Sequence, residues 1–183
     1  MVHLPQMLQN KELPTQSACA LAADLMLEKG WMLATAESCT GGLIAATCTD
    51  QAGSSAWFER GFVTYSNAAK SELLGVPAQL IEQQGAVSEA VVRAMAVGAL
   101  THSHAQVAVA VTGVAGPSGG SADKPVGTVW LGWAWPHQVI AEKCYFEGDR
   151  ACVRSATVRY ALVKLLMLLG STWPSPPPPR AQP

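Results

Sequence analysis

The stretch Val107-Ala108-Val109-Ala110-Val111 is the strongest constraint on what this chain can fold into. Successive side chains of a strand point to opposite faces, so a run with no polar residue at either parity is apolar on both faces. Such a strand belongs in the middle of a sheet covered on both sides, as in helix-flanked, largely parallel sheets. The rest of the chain must then provide further strands and two helical layers.

Helical and strand patterns do alternate along it. Thr15 is placed to cap a helix running to Glu28-Lys29, with Gly30 as its left-handed stop. Trp31 to Ala36 reads as a short buried strand, and an Ala-rich helix follows Gly41-Gly42. Phe62 to Tyr65 reads as a second strand, and Asn67 as the cap of a helix from Ala68 to Leu74. Gly75-Val76-Pro77 turns the chain into another helix that ends at Gly85. Ser88-Glu89 opens a longer one to about Thr101, with the acid near the positive helix end. Val126 to Trp135 and Gln138 to Phe146 flank Pro136-His137 as a hairpin, and Asp149 caps a last helix from Arg150 to Leu169. The sum predicts a three-layer α/β/α sandwich with a mixed, mostly parallel sheet.

Composition narrows the class of protein. The 183 residues suit one domain, expected over 17–170, between a flexible leader at 1–16 and a Pro-rich, disordered tail at 171–183. Charged residues make up only 14%, against roughly 25% in an average domain, and 49% are hydrophobic. This excludes disorder of the whole chain. A membrane span is not expected either: Tyr160 to Leu169 is about half of the ~20 residues required, and Lys164 interrupts it. With 12 Lys and Arg against 13 Asp and Glu, there is no basic field for nucleic acid or an anionic membrane. No secretory signal is legible, and the five scattered cysteines suit reduced thiols, so a cytoplasmic location is expected.

Three segments could carry chemistry. Thr35-Ala36-Glu37-Ser38-Cys39-Thr40-Gly41-Gly42 joins a strand end to a helix start, where α/β sheets bind ligands. Ser38 is placed there as a nucleophile, with backbone N–H groups of Thr40, Gly41 and Gly42 as candidate donors to an oxyanion. A capping serine in a tight glycine turn is the plainer reading, and Cys39 is a rival nucleophile. The second segment, Gly61 to Lys70, brings Tyr65 at a strand end and Lys70 one helical turn on. A serine hydroxyl needs a base to attack an amide, and lysine, which titrates at about 10.4, serves only if burial lowers that value. An exposed lysine and a core tyrosine would explain the same residues. The third, Thr112-Gly113-Val114-Ala115-Gly116-Pro117-Ser118-Gly119-Gly120, follows the apolar strand and reads equally as a phosphate cradle or a surface loop; it is neither a P-loop nor a dinucleotide fingerprint. His102-Ser103-His104 has no neighbouring carboxylate or thiol and reads as a solvated helix end, so no metal site is expected.

Taken in order, AESCTGG, GSSAWFERGFVTYSNAAK, GAVSEAVV, TGVAGPSGG, KPVGTVW and the final GDR resemble the C-terminal domain of the competence/damage-inducible protein CinA. The likeness covers roughly Ser17 to Leu169. It does not extend to that family's molybdopterin-binding-like N-terminal domain, so the pyrophosphatase activity of that domain is not carried over. The resemblance implies a nicotinamide-nucleotide amidohydrolase with a Ser–Tyr–Lys catalytic set, falling on Ser38, Tyr65 and Lys70. It implies hydrolysis of the carboxamide of nicotinamide mononucleotide, in pyridine nucleotide salvage, with no metal or organic cofactor. Thr112, Gly113 and Gly116 then become candidates for ribose-phosphate contacts. Homo-oligomers are implied as well, for which Trp57, Trp130, Trp133 and Trp135 are candidate anchors. Two alternatives remain: a nucleotide-binding regulatory module without turnover, and a Ser–Ser–Lys amidase suggested by Gly53-Ser54-Ser55, for which the chain is short.

Overall fold

The Val/Ala run becomes β3 (Val107–Gly113), the third strand of a five-stranded sheet ordered β2-β1-β3-β4-β5 in the computed structural model, which describes residues 13–171. β1 (Leu33–Glu37) pairs in parallel with both β3 and β2 (Phe58–Val63). β4 (Thr128–Trp135) and β5 (Gln138–Tyr145) add an antiparallel hairpin to β3. Only β4 therefore runs against the other four.

The alternation within β3 sorts the two helical layers. Val107, Val109 and Val111 join Leu33, Leu131 and Trp133 in a core shared with α1 (Thr15–Lys29) and α6 (Arg150–Gly170). Ala108 and Ala110, with Ala34, Ala36 and Ala134, face α5 (Glu89–Thr101), along with Leu74 of α3 (Asn67–Leu74) and Ile81 of α4 (Ala78–Gln84). Bulky side chains on one face and methyls on the other let α5 lie close to the sheet. Glycine extends this closeness: a Cβ on Gly132 would stand 3.1 Å from the Val92 carbonyl oxygen, and one on Gly98 would collide with that of Leu74.

Several expectations shift. β2 begins at Phe58 and ends before Tyr65, because its Glu59-Arg60-Gly61 centre is polar, as an edge strand permits. Its pairing slips at Glu59, where Leu33 faces Phe58 and Ala34 faces Arg60. Thr15 is the first helical residue after Pro14 rather than a cap, and Ser66 replaces Asn67, its Oγ accepting from the Ala69 N–H at 3.0 Å. Ser88 and Asp149 cap as expected. Leu13 is buried, and its carbonyl accepts from Arg159 at 3.1 Å, so the packed unit reaches below the expected start at 17. Most of the leader and the Pro-rich tail lie outside the described residues. Trp57, Trp133 and Trp135 are buried, with Trp133 Nε1 donating to the Ala161 carbonyl, which makes them core rather than interface anchors. Among the described residues no helix is long and apolar enough to cross a membrane.

Candidate active site

At the carboxyl end of β1 the chain leaves the sheet at Ser38 and reverses through Gly41 and Gly42 (φ 62° and 96°) into the short helix α2 (Leu43–Thr49). A buried acid holds this reversal together. Glu37, wholly shielded from solvent, accepts from the Thr40 hydroxyl at 2.6 Å and the Gly42, Ile44 and Ala45 N–H groups at 3.1, 3.0 and 2.8 Å. The positive end of α2 is thus filled by a carboxylate of the chain itself. The Gly41 N–H donates to the Ser38 carbonyl, and the Thr40 carbonyl accepts from Arg154. Hence the Gly41 and Gly42 amides are already engaged, contrary to their expected freedom, and neither residue lines the cavity at Ser38. Nor does Thr40, whose side chain is turned toward Glu37. The Cys39 and Thr40 amides have no acceptor among the described residues and lie directly after the serine.

Ser38 is pinned from below by its own N–H, which donates to the Val111 carbonyl of β3 at 3.1 Å. Its Oγ lies 3.1 Å from Nζ of Lys70, 32 residues away on the first turn of α3. Lys70 is buried, 1% exposed, so the exposed-helix reading of this lysine fails. Its Nζ also reaches the Thr64 carbonyl at 2.9 Å and the Tyr65 carbonyl at 3.2 Å. A neutral amine has two N–H donors and one lone pair. Two carbonyls satisfy the donors and leave the lone pair for the serine O–H. Burial pushes the Lys70 pKa below its ordinary value, against a smaller opposing pull from Cys39.

Tyr65 takes part through its backbone. Its ring is exposed at the cavity mouth, and its hydroxyl lies 3.4 Å from Arg150 Nη2 rather than against Ser38 or Lys70. The cavity, about 190 Å³, is lined by Ser38, Tyr65, Asn67, Lys70, Gly113 and Arg150, among others. Thr112 lines it too, while its hydroxyl donates to the Ala86 carbonyl at 2.9 Å. Gly116 stands back from the wall, but its carbonyl accepts from Arg150 Nη1 at 2.9 Å. Burial raises the Cys39 thiol to about 12, so it is a neutral thiol at physiological pH and a poor rival to the serine. His102 ends α5 with Nδ1 at the Gly98 carbonyl, as a helix end would.

Two residues at this site escaped sequence reasoning. Arg150 belongs to the GDR block, where it reads as the first residue of a capped helix. Glu37 precedes the serine, where local rules give it no partner.

Comparison with known proteins gives the family. A profile described as the CinA C-terminal domain matches residues 15–169. A protein of Enterobacter agglomerans named nicotinamide-nucleotide amidohydrolase PncC is 57% identical over 82% of this chain and 90% of its own length. The Escherichia coli K12 protein of that name is 54% identical over 75% and 84%. A CinA-like protein of Geotalea daltonii is 55% identical, but the match spans only 34% of that longer chain. Among solved structures, the competence damage-inducible protein A of Klebsiella pneumoniae superposes with a TM-score of 0.84 at 41% identity, over 87% of this chain and 99% of that one. The profile spans 15–169 and the structural match most of the chain, and the chain belongs to the CinA C-terminal domain family.

Proposed function

We propose that this protein is a serine amidohydrolase that converts nicotinamide mononucleotide to nicotinic acid mononucleotide and ammonia, a step of pyridine nucleotide salvage in the cytoplasm. The observation that carries the reading is the environment of Lys70 Nζ: two carbonyls, one serine hydroxyl and, among the described residues, no carboxylate within hydrogen-bond distance. The substrate class comes from the relatives named as nicotinamide-nucleotide amidohydrolases, which align over most of their length.

Ser38 Oγ attacks the carboxamide carbon while neutral Lys70 takes the hydroxyl proton. Positioned proton transfer of this kind contributes about 10²–10⁴ in rate. The oxyanion falls to the Cys39 amide, directly after the serine in the cavity wall, a well-aimed donor contributing about 3 kcal/mol. Lys70, now an ammonium held by the Thr64 and Tyr65 carbonyls, returns its proton to the departing nitrogen, and ammonia leaves. Lys70 then removes a proton from water, which attacks the acyl-serine ester, and passes that proton to the departing Ser38 oxygen. The acid is freed, and the neutral amine and the serine hydroxyl are restored. Arg150, held by the Gly116 carbonyl and the Tyr65 hydroxyl, helps to frame the cavity in which the carboxamide is placed.

The homo-oligomer implied by the resemblance would draw on exposed Leu43, Val63 and Leu73 rather than on the three buried tryptophans. Sedimentation tests that point: a purely monomeric species rejects it. For the reaction itself, purified protein with nicotinamide mononucleotide should release ammonia, and Ser38→Ala should lower release at least about 10³-fold with the fold retained. Undiminished turnover in Ser38→Ala overturns the serine mechanism. Nucleotide binding without ammonia release in the unaltered protein supports a binding module instead.

A further inference from the structure

We infer that a second, cationic groove beside the Ser38 cavity holds the phosphate end of the nucleotide, with Lys124 and Lys143 as its ligands; the inference rests on the nucleotide-amidase reading above. The Ser38 cavity, about 190 Å³, is smaller than the roughly 300–1,000 Å³ of pockets that enclose ligands of nucleotide size. It can take a pyridine amide, but ribose and phosphate must leave through its mouth. Val87 forms part of its wall and also part of the wall of a neighbouring groove of about 570 Å³. The two cavities therefore adjoin at Val87.

The groove is built for an anion. Its floor is the directly paired Trp130 and Lys143 of β4 and β5, with Lys124 on one side and the first turns of α5 on the other. Arg93 and Glu89 of α5 neutralise each other at 2.8 Å, and Arg93 also donates to the Val139 carbonyl. That pairing uses the only carboxylate among the lining residues. Lys124 Nζ donates only to a neutral carbonyl, that of Gln84 at 3.2 Å, and Lys143 has no partner among the described residues. Two lysine charges thus face the groove without a counterion, and a dianionic phosphate matches them. The half-buried face of Trp130 offers the ribose an apolar floor. In the glycine loop after β3, the Val114 N–H is not available to an anion, because it already donates to the Thr128 carbonyl.

The test compares the unaltered protein with the double variant Lys124→Ala/Lys143→Ala. Ammonia release is measured on nicotinamide mononucleotide and on nicotinamide riboside, which lacks the phosphate, and nicotinic acid mononucleotide is titrated into both proteins by calorimetry. The preference in kcat/KM for mononucleotide over riboside should fall about 10-fold or more in the variant, mainly through KM, and Kd for the product nucleotide should weaken by a similar factor. An active enzyme whose preference and Kd are unchanged in the variant overturns the groove and leaves the amidase reading intact. A protein that releases no ammonia but binds the nucleotide, more weakly in the variant, overturns the amidase reading and supports the groove. Absence of any nucleotide binding by the unaltered protein overturns the groove outright.

Discussion

Glu37 and Lys70 are both shielded from solvent around Ser38, but their surroundings are opposite. Glu37 is met by four donors, three of them backbone amides, so its carboxylate acts as a structural anion that joins β1 to α2. Lys70 is met by two neutral carbonyls and a hydroxyl, with no acid in reach among the described residues, so burial disfavours its charged form. Removing the first should cost stability, and removing the second should cost function. A buried ionisable group is read by its partners, not by its burial.

The comparison can be broken in several ways. Lys70→Met should lower kcat/KM for amide hydrolysis at least about 10³-fold with no loss in thermal midpoint, since an apolar chain of similar length replaces a desolvated amine. Retained turnover, or collapse of the fold, would count against a base role. Glu37→Ala leaves three amides and a hydroxyl without their acceptor, and should destabilise the protein by about 3 kcal/mol or more in denaturant titration.

Lys70 also gives stability a pH dependence whose sign follows from its lowered value. In the unfolded chain it stays protonated up to its ordinary value near 10.5, and in the folded protein it loses the proton earlier. Between those two values the unfolded state binds more protons, so stability rises with pH across that window. Lys70→Met should remove that rise relative to the unaltered protein, which pH-resolved unfolding measures. Tyr65→Phe should reduce kcat/KM by about 10-fold at most, because the backbone carbonyl that holds Lys70 is kept and only the contact with Arg150 is lost. Smallest of all, Cys39→Ala should change turnover by about twofold or less, since the buried thiol is protonated at working pH. Inactivation by that substitution alone would promote Cys39 over Ser38.

The legibility of the sequence differed along these same lines. The Val/Ala run gave the centre of the sheet, and Ser88 and Asp149 marked their helix starts, because each signal is local. The true extent of β2 is hidden because Glu59, Arg60 and Gly61 disguise an edge strand, and the size of Trp57, Trp133 and Trp135 does not say which surface covers them. Ser38 and Lys70 were legible as residue types, through the family resemblance more than through spacing. Their 3.1 Å approach depends on the segments that follow β1 and β2 coming together beyond the carboxyl ends of those strands, which no local pattern encodes. Gly41 and Gly42 looked like free donors only because nothing local shows that Glu37 already occupies that helix end.

Catalysis by Ser38 requires Lys70 to be a neutral amine at 3.1 Å from its hydroxyl, and an NMR titration reads this directly. With lysine side chains carbon-13 labelled at Cε and the Lys70→Met protein used for assignment, the Lys70 resonance should titrate well below the ordinary lysine range. The acid limb of kcat/KM should coincide with that transition. A Lys70 that stays protonated throughout the pH range of full activity would contradict the account.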